Sequence, residues 1–322
     1  MTAAVYDVLI GVFLVVDGIF LFRVFRAWFR EPRKTIRIRI LPFAVIILLA
    51  LSWLVVFYGS FIEPRLIVVN EQTVVLSDKP TESLRVALIS DLHVGPYKKD
   101  GFVTRVVDRV MELKPDVILI GGDNVFDADA HVRYLSPLKN LSAPKGVFAV
   151  LGNHDYGEDY YFVGDKKAES RALLVRTALE SAGVKVLTNE GKRIKAKNKT
   201  LYLLGLDDFY TDRGSISASL RTLGLSRMPH PSVVFAHNPD FLTQAVREGA
   251  DALLASHTHG GQIRLPLIGS VPEIPTRLGR DFDRGLFKVD GTQMFITSGV
   301  GESGPRARLF VPPEIAMLTI KF

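Results

Sequence analysis

The chain has 322 residues, 48% of them hydrophobic, and a net charge of +6. It contains no cysteine, which excludes disulfides, thiolate catalysis and Cys-ligated zinc and leaves His, Asp, Glu and Asn as metal ligands. Residues 1–62 hold seven Lys/Arg against three Asp/Glu, a net of +4, so only +2 remains for the rest of the chain, too little to mark a nucleic-acid surface.

Two apolar runs open the chain. Residues 3–22 are rich in Leu, Ile, Val and Phe but carry Asp7 and Asp17. Residues 41–62 hold no charge at all; as a helix they would reach about 33 Å, enough for a hydrocarbon core of roughly 30 Å. No basic residue precedes the first run and no small-residue cleavage site follows it, so a membrane span fits it better than a signal peptide. Between the two lies RVFRAWFREPRKTIRIR, and short loops rich in Lys and Arg stay in the cytoplasm. The expectation is a membrane anchor over 1–62, with spans at 3–22 and 41–62 and a basic loop at 23–40. The remaining domain, 63–322, would then lie outside the cell membrane of a bacterium.

From residue 84 onward, apolar runs end repeatedly in polar, glycine-containing turns: LRVALIS (84–90), DVILIGG (116–122), GVFAVLG (146–152), LYLLGL (201–206), SVVFA (232–236) and DALLAS (251–256). Such runs read as strands buried on both faces. Val103, Val106, Val107, Val110 and Met111 fall on one side of a helical pattern, and helices are also expected over 168–182 and 239–248. Strands alternating with helices predict a layered α/β domain. In such folds ligands bind beyond the carboxyl ends of the strands, and Asp91, Asp123, Asn153, His237 and His257 all stand there.

The polar residues after these strands form five short motifs: Asp91-Leu-His93, Gly122-Asp123, Gly152-Asn153-His154-Asp155, His237-Asn238 and His257-Thr-His259. Each alone is weak, but together they offer oxygen and nitrogen ligands suited to two divalent ions. There is no G-x-S-x-G and no Walker loop, so the common nucleophile-elbow and P-loop readings have no support.

In this order the motifs resemble the calcineurin-like metallophosphoesterases, most of all their membrane-anchored bacterial branch. The resemblance runs from Tyr58 to the C-terminus and includes Phe61-Ile-Glu-Pro64, Gly205-Leu-Asp-Asp208, Gly260-Gly-Gln-Ile-Arg-Leu-Pro266 and the Gly299–Glu314 stretch. It implies a four-layer α/β/β/α sandwich behind two N-terminal transmembrane helices. It also implies two divalent ions (manganese first, with iron or zinc as alternatives), one on Asp91, His93 and His259 and the other on Asn153, His237 and His257. Asp123 would bridge them, with a metal-bridging hydroxide attacking phosphorus. His154 would act as proton donor, with Asp155 holding its tautomer.

The expected function is hydrolysis of a phosphomonoester or phosphodiester, lipid- or envelope-linked. The alternatives are a cytoplasm-facing pyrophosphatase for a UDP-diacylglucosamine-type lipid A precursor, and a membrane receptor keeping the fold as a binding module. The expected partners are the substrate and the membrane, not nucleic acid; oligomeric state stays open.

Two departures from the family pattern stand out. The second acid of G-D-x-x-D comes one residue late, at Asp127, and Ser256 replaces the usual glycine before H-x-H. Asp207 and Asp208 are open between lining the cleft and forming a turn, and Arg264 between meeting phosphate and facing solvent. His131 and His230 read as surface or loop residues. The aromatic cluster at 156–162 reads as loop packing, a substrate wall or an interfacial contact.

Overall fold

The computed structural model describes residues 3–30, 36–126, 131–157 and 166–322. Two long helices lead, α1 (Ala3–Arg30) and α2 (Ile36–Phe57), the second continued by a π turn over Tyr58–Ile62. There follow β1 (Val68–Val75), β2 (Ser83–Ile89), α3 (Asp100–Glu112), β3 (Val117–Ile120), β4 (Val147–Ala149), α4 (Asn153–Tyr156), α5 (Lys166–Ser181) and β5 (Lys185–Val186). The second half holds β6 (Glu190–Lys195), β7 (Thr200–Gly205), α6 (Ile216–Thr222), β8 (Ser232–Phe235), α7 (Leu242–Glu248) and β9 (Ala252–Ala255). It closes with a small hairpin, β10 (Arg264–Leu265) and β11 (Gly269–Ser270), then β12 (Gly285–Val289), β13 (Thr292–Ile296) and β14 (Glu314–Lys321).

The two leading helices pack antiparallel. The Trp53 indole donates to the Leu14 carbonyl at 3.1 Å and the Ser52 hydroxyl to Asp17 Oδ2 at 3.1 Å, while Trp28 meets Phe43 nearer the other end. Asp17, an interruption by composition, is thus buried between the helices and hydrogen-bonded, the arrangement that makes a carboxylate tolerable among apolar side chains. Outward-facing Val8, Phe22, Leu41 and Leu48 are more than half exposed. Both helices are long and apolar enough to cross a membrane, and exposed apolar surface on this scale separates them from the core helices of a soluble domain. Helix α1 runs on through Arg23, Arg26 and Arg30, so the basic segment expected as a loop over 23–40 is partly helical; 31–35 lie outside the described residues.

Two six-stranded sheets face one another, in the orders β1-β14-β2-β3-β4-β5 and β12-β13-β9-β8-β7-β6. Strands β2 to β5 run parallel in the first, as do β7, β8, β9 and β13 in the second. Alternation along each strand then builds three apolar layers. Val86 and Leu88 of β2 point between the sheets with Leu119, Phe148, Leu203, Val233 and Leu254. Ala87 and Ile89 point the other way, against Val103, Val106 and Val110 of α3 and Val175 and Leu179 of α5. On the far side, Val234, Leu253 and Met294 pack on Leu220 of α6 and Ala245 of α7. This is the expected four-layer α/β/β/α sandwich.

The six expected strands are all present. Not anticipated were the solvated edge strands β1, β6 and β12, the short β5, β13 beside β9, and β14, which slots between β1 and β2. Parallel pairing in register (Leu88 with Leu119, Leu119 with Phe148, Val234 with Leu253) aligns the strands of each sheet so that their carboxyl ends share one edge. That edge carries the site.

Candidate metal centre

The loops leaving β2 and β3 stay paired beyond the sheet: Asp91 N–H donates to Gly122 O, His93 N–H to Asp123 O and Val94 N–H to Asn124 O, each at 3.0 Å. This zipper holds Asp91, His93 and Asp123 side by side. On the facing sheet, Ser256 N–H donates to the His237 carbonyl at 2.9 Å and aligns His237 with His257. Asp91, His93, Asp123, His257 and His259 all have positive φ, from 42° to 73°. Left-handed backbone at a non-glycine residue costs of order 1–3 kcal/mol and clusters where function needs it.

Asp123 is the hub. Its Oδ2 lies 3.5 Å from His93 Nε2 and 3.2 Å from His237 Nε2, and its Oδ1 accepts the His154 backbone N–H at 2.9 Å. On one side Asp91, His93 and His259 converge: His93 Nε2 and His259 Nε2 are 3.2 Å apart, and His259 Nε2 is 3.5 Å from Asp91 Oδ1. On the other side Asp123, His237 and His257 converge, with His237 Nε2 3.0 Å from His257 Nδ1. Asn153 lines the same cleft, of about 540 Å³, with Asp123, His154, Tyr210, His257 and His259. Gly152 is required beside them, because a Cβ there would overlap Asp123 Oδ1 and His237 Cδ2.

The electrostatics of the pocket fit cations. Both carboxylate oxygens of Asp91 and the amide oxygen of Asn153 are buried without a hydrogen-bond partner, an expensive state unless a positive charge meets them. Burial, only partly offset by His237, pushes Asp91 up to about 7. Burial also holds His257 neutral, down to about 3, and keeps His93 and His259 well below the usual imidazole range. Burial opposes a charge on His237 too, but the adjoining Asp123 prevails and raises it to about 10. In return, and against its own burial, Asp123 is held well below the carboxylate range by His237, His154 and His93. Neutral imidazoles, orphaned oxygens and one proton shared out to balance Asp123 make a donor set that divalent ions fit.

The surroundings fix the tautomers. His237 Nδ1 donates to Gly121 O at 2.7 Å, leaving Nε2 for the cleft. His257 Nε2 lies 3.3 Å from the Tyr210 hydroxyl, which itself donates to Pro275 O at 2.9 Å, so Nδ1 is the nitrogen turned toward Asp123. His154 Nδ1 donates to Phe126 O at 3.1 Å. Asp155, expected to hold the His154 tautomer, does something else. Its carboxylate accepts from Asn124 N–H and Nδ2 at 2.9 Å and from Gly152 N–H at 3.0 Å, tying the loop after β3 to the loop after β4. It positions the ligand loops and is not placed to serve the imidazole.

Ser256 has a place as well. Its hydroxyl donates to Gly121 O at 2.9 Å and lies 3.1 Å from His237 Nδ1, on the side of that ring away from Asp123. Other candidates are structural. Asp207 accepts from the Tyr156 hydroxyl at 2.6 Å and Asp208 from Thr211 N–H at 2.8 Å. Arg264 is paired with Asp283, and the exposed His230 with Asp251 at 2.9 Å. His131 stacks on Tyr134. Tyr156 belongs to the core, while the rest of the aromatic cluster, from 158 to 162, and Asp127 lie outside the described residues.

Sequence reasoning missed Tyr210, which no motif marks, and Arg308, which it quoted without a role. The Arg308 side chain is fully buried and bonds the carbonyls of Ser298, Gly299, Gly301 and Val311. It thereby folds the 299–311 loop onto Asp91, to which that loop is joined by Gly301 N–H on Asp91 O at 2.7 Å.

Fold and site together define a class. Residues 84–261 match the calcineurin-like phosphoesterase family; the chain belongs to it, among the metal-dependent hydrolases of phosphoric esters. Over 238 residues it is 32% identical to phosphodiesterase YaeI of Escherichia coli, covering 73% of this chain and 82% of that protein. It is 25% identical over 320 residues to the UDP-2,3-diacylglucosamine pyrophosphatase LpxG of Chlamydia muridarum, covering 85% and 94%. An uncharacterized metallophosphoesterase of Helicobacter pylori is 29% identical over 273 residues, 82% of this chain and 66% of that one, so the chain spans about two thirds of that relative's length.

Proposed function

We propose that the chain is a membrane-anchored phosphoesterase, with an anchor over 1–62 and a catalytic domain over 63–322, acting on a phosphodiester or phosphomonoester of a lipid or the cell envelope. The observation that carries this is buried Asp123 standing between Asp91/His93/His259 on one side and His237/His257 on the other, with Asn153 and His154 lining the same cleft. Two divalent ions, manganese first, would be held there; when bound they supply Lewis acidity and lower the pKa of water. The chain's own residues do the rest. His154, whose Nδ1–H donates to Phe126 O, lines the cleft beside Asp123, where its imidazole would hydrogen-bond a phosphoryl oxygen or pass a proton to the leaving oxygen. Asp155 and Gly152 keep the two ligand loops in register. Tyr210 and Gln262 wall the cleft.

The hairpin of α1 and α2 supports the membrane side of this reading. Asp7 near the start of α1 lies 3.5 Å from Arg306 of the domain, so both anchor ends that meet the domain share one side, and Arg23, Arg26 and Arg30 fall at the other. Basic residues favour the cytoplasm, which supports a domain on the outer side. The similarity to LpxG along most of both chains favours a second reading, a pyrophosphatase with its domain in the cytoplasm. A C-terminal fluorescent-protein fusion that fails on export separates them: a dark fusion supports the first and a bright one the second.

The reading is tested with full-length protein in detergent, loaded with Mn²⁺, against bis-p-nitrophenyl phosphate and p-nitrophenyl phosphate. Hydrolysis of at least one, abolished by chelation, is expected. No turnover of any phosphoester by metal-loaded protein would contradict it.

A further inference from the structure

The hairpin β10–β11 is built unlike the rest of the surface. Its turn, Leu265-Pro266-Leu267-Ile268, closes with Ile268 N–H on Leu265 O and places Leu267 at φ 68°. Proline second and a positive φ third is the pattern of a type II turn, whose third position ordinarily takes glycine or asparagine because a side chain is strained there. Here it takes leucine, and that side chain is fully exposed. Leu265, Ile268 (64% exposed) and Val271 are exposed around it. Four large aliphatic side chains gathered on this one small hairpin, the central one on strained backbone, belong to none of the apolar clusters among the described residues.

The tip sits beside the exit of the second apolar helix. Leu309 pairs with the hairpin's base, donating to Gln262 O at 3.0 Å and accepting from Arg264 N–H at 2.9 Å. Its neighbours are fastened to the end of the second apolar helix: Arg308 N–H donates to Gly59 O at 2.8 Å, and Phe310 N–H donates to Glu63 Oε2 at 3.0 Å. Phe310 is itself 53% exposed, with φ 57°, and Ile62 and Leu66 are exposed next along the chain from the helix. An apolar surface thus continues from the exit of the span, across Phe310, to the hairpin. The other end of the same hairpin borders the cleft, since Gly261, Gln262, Ile263, Pro272 and Glu273 line it.

We infer that the tip Leu265–Ile268, with Val271 and Phe310, is a third membrane contact that seats in the acyl–headgroup boundary of the bilayer and holds the mouth of the metal cleft against it. This rests on the membrane-anchor reading and goes beyond it. A short apolar wedge of this kind gains from burial in the interface without spanning, and continuity with the span's exit makes the bilayer its occupant. A headgroup phosphate could then enter the cleft sideways, with the acyl chains left in the membrane.

The chain's lack of cysteine allows a clean test. Leu267→Cys, Leu48→Cys on the outer face of α2 and Lys197→Cys at the amino-terminal edge of the second sheet would each carry an environment-sensitive fluorophore. Each full-length protein would be placed in nanodiscs of phosphatidylethanolamine and phosphatidylglycerol, with and without lipid spin-labelled near the headgroup. The label at 267 should emit blue-shifted and lose most of its signal to the spin label, while that at 197 emits as in water. A quenched label at 48 with the label at 267 matching 197 would overturn the inference and leave the anchor intact. An unquenched label at 48 would remove the anchor reading and the inference with it. Ile268→Cys, exposed one residue on, repeats the measurement if labelling at 267 disturbs the turn.

Discussion

The Ser256 hydroxyl and His237 Nδ1 lie 3.1 Å apart and both donate to one oxygen, the carbonyl of Gly121, at 2.9 and 2.7 Å. That shared acceptor explains a residue that the family pattern would make glycine: the serine side chain points at the back of the His237 ring and the loop after β3, not into the cleft. Removing the hydroxyl leaves Gly121 O still bonded to His237. Ser256→Ala should therefore keep the fold and the site, weakening metal affinity by about tenfold, the lower end for a residue that orients a ligand. Titration of the metal-free variant with Mn²⁺ checks this; an unchanged affinity would make the hydroxyl irrelevant to His237.

Metal binding should release more protons at lower pH. Asp91 is raised to about 7 and His237 to about 10 in the metal-free site, and a cation requires both deprotonated. Between these values only the His237 proton is displaced, so affinity falls about tenfold per pH unit as pH drops. Below about 7 the Asp91 proton is displaced too, and the dependence doubles to about a hundredfold per unit for loading both positions. Calorimetry in two buffers of different ionisation enthalpy reads the proton count directly. The same count on both sides of neutrality would contradict the assignment of Asp91.

Arg308 should be indispensable to stability without touching substrate. Its guanidinium satisfies four buried carbonyls at once, and each left unpaired costs about 1–3 kcal/mol. Arg308→Met should lose more than about 3 kcal/mol, on the order of 10 °C in Tm for a domain this size. Arg308→Lys, with a point charge in place of a fork, should recover only part. Thermal unfolding in detergent measures both, and a Tm within a degree or two of the parent's would show that the loop does not depend on the clamp.

What could be read from residue order alone follows physical lines. The six central strands were legible because strands buried on both faces must be continuous apolar runs, and the candidate ligands gathered around Asp123 because they follow their strands closely. Edge strands were not: β1 (VVNEQTVV) and β6 (EGKRIK) are half-solvated and carry no apolar alternation. Strand β14 is apolar enough, but its place between β1 and β2 is decided by pairing across most of the chain. The roles of Ser256, Tyr210 and Arg308 depend on Gly121, Pro275 and the 298–311 carbonyls, contacts that no spacing encodes. Asp155 was read from its neighbour in sequence, when its partner in space is Asn124. Beyond Arg264, residue order assigned nothing to 264–271; the exposure of Leu267 and the tie from Arg308 to Gly59 emerge only in the fold.

The central claim is that Asp123 joins two ion positions while His154 serves the substrate. The measurement that tests it most directly is metal content by mass spectrometry, taken together with turnover of bis-p-nitrophenyl phosphate, for Asp123→Ala and His154→Ala beside the parent. Asp123→Ala should lose bound metal and activity together, whereas His154→Ala should keep its metal and lose at least about a hundredfold in kcat, the scale of general-acid catalysis. An Asp123→Ala protein that retains both ions, or a His154→Ala protein that turns over at the parent's rate, would contradict the account.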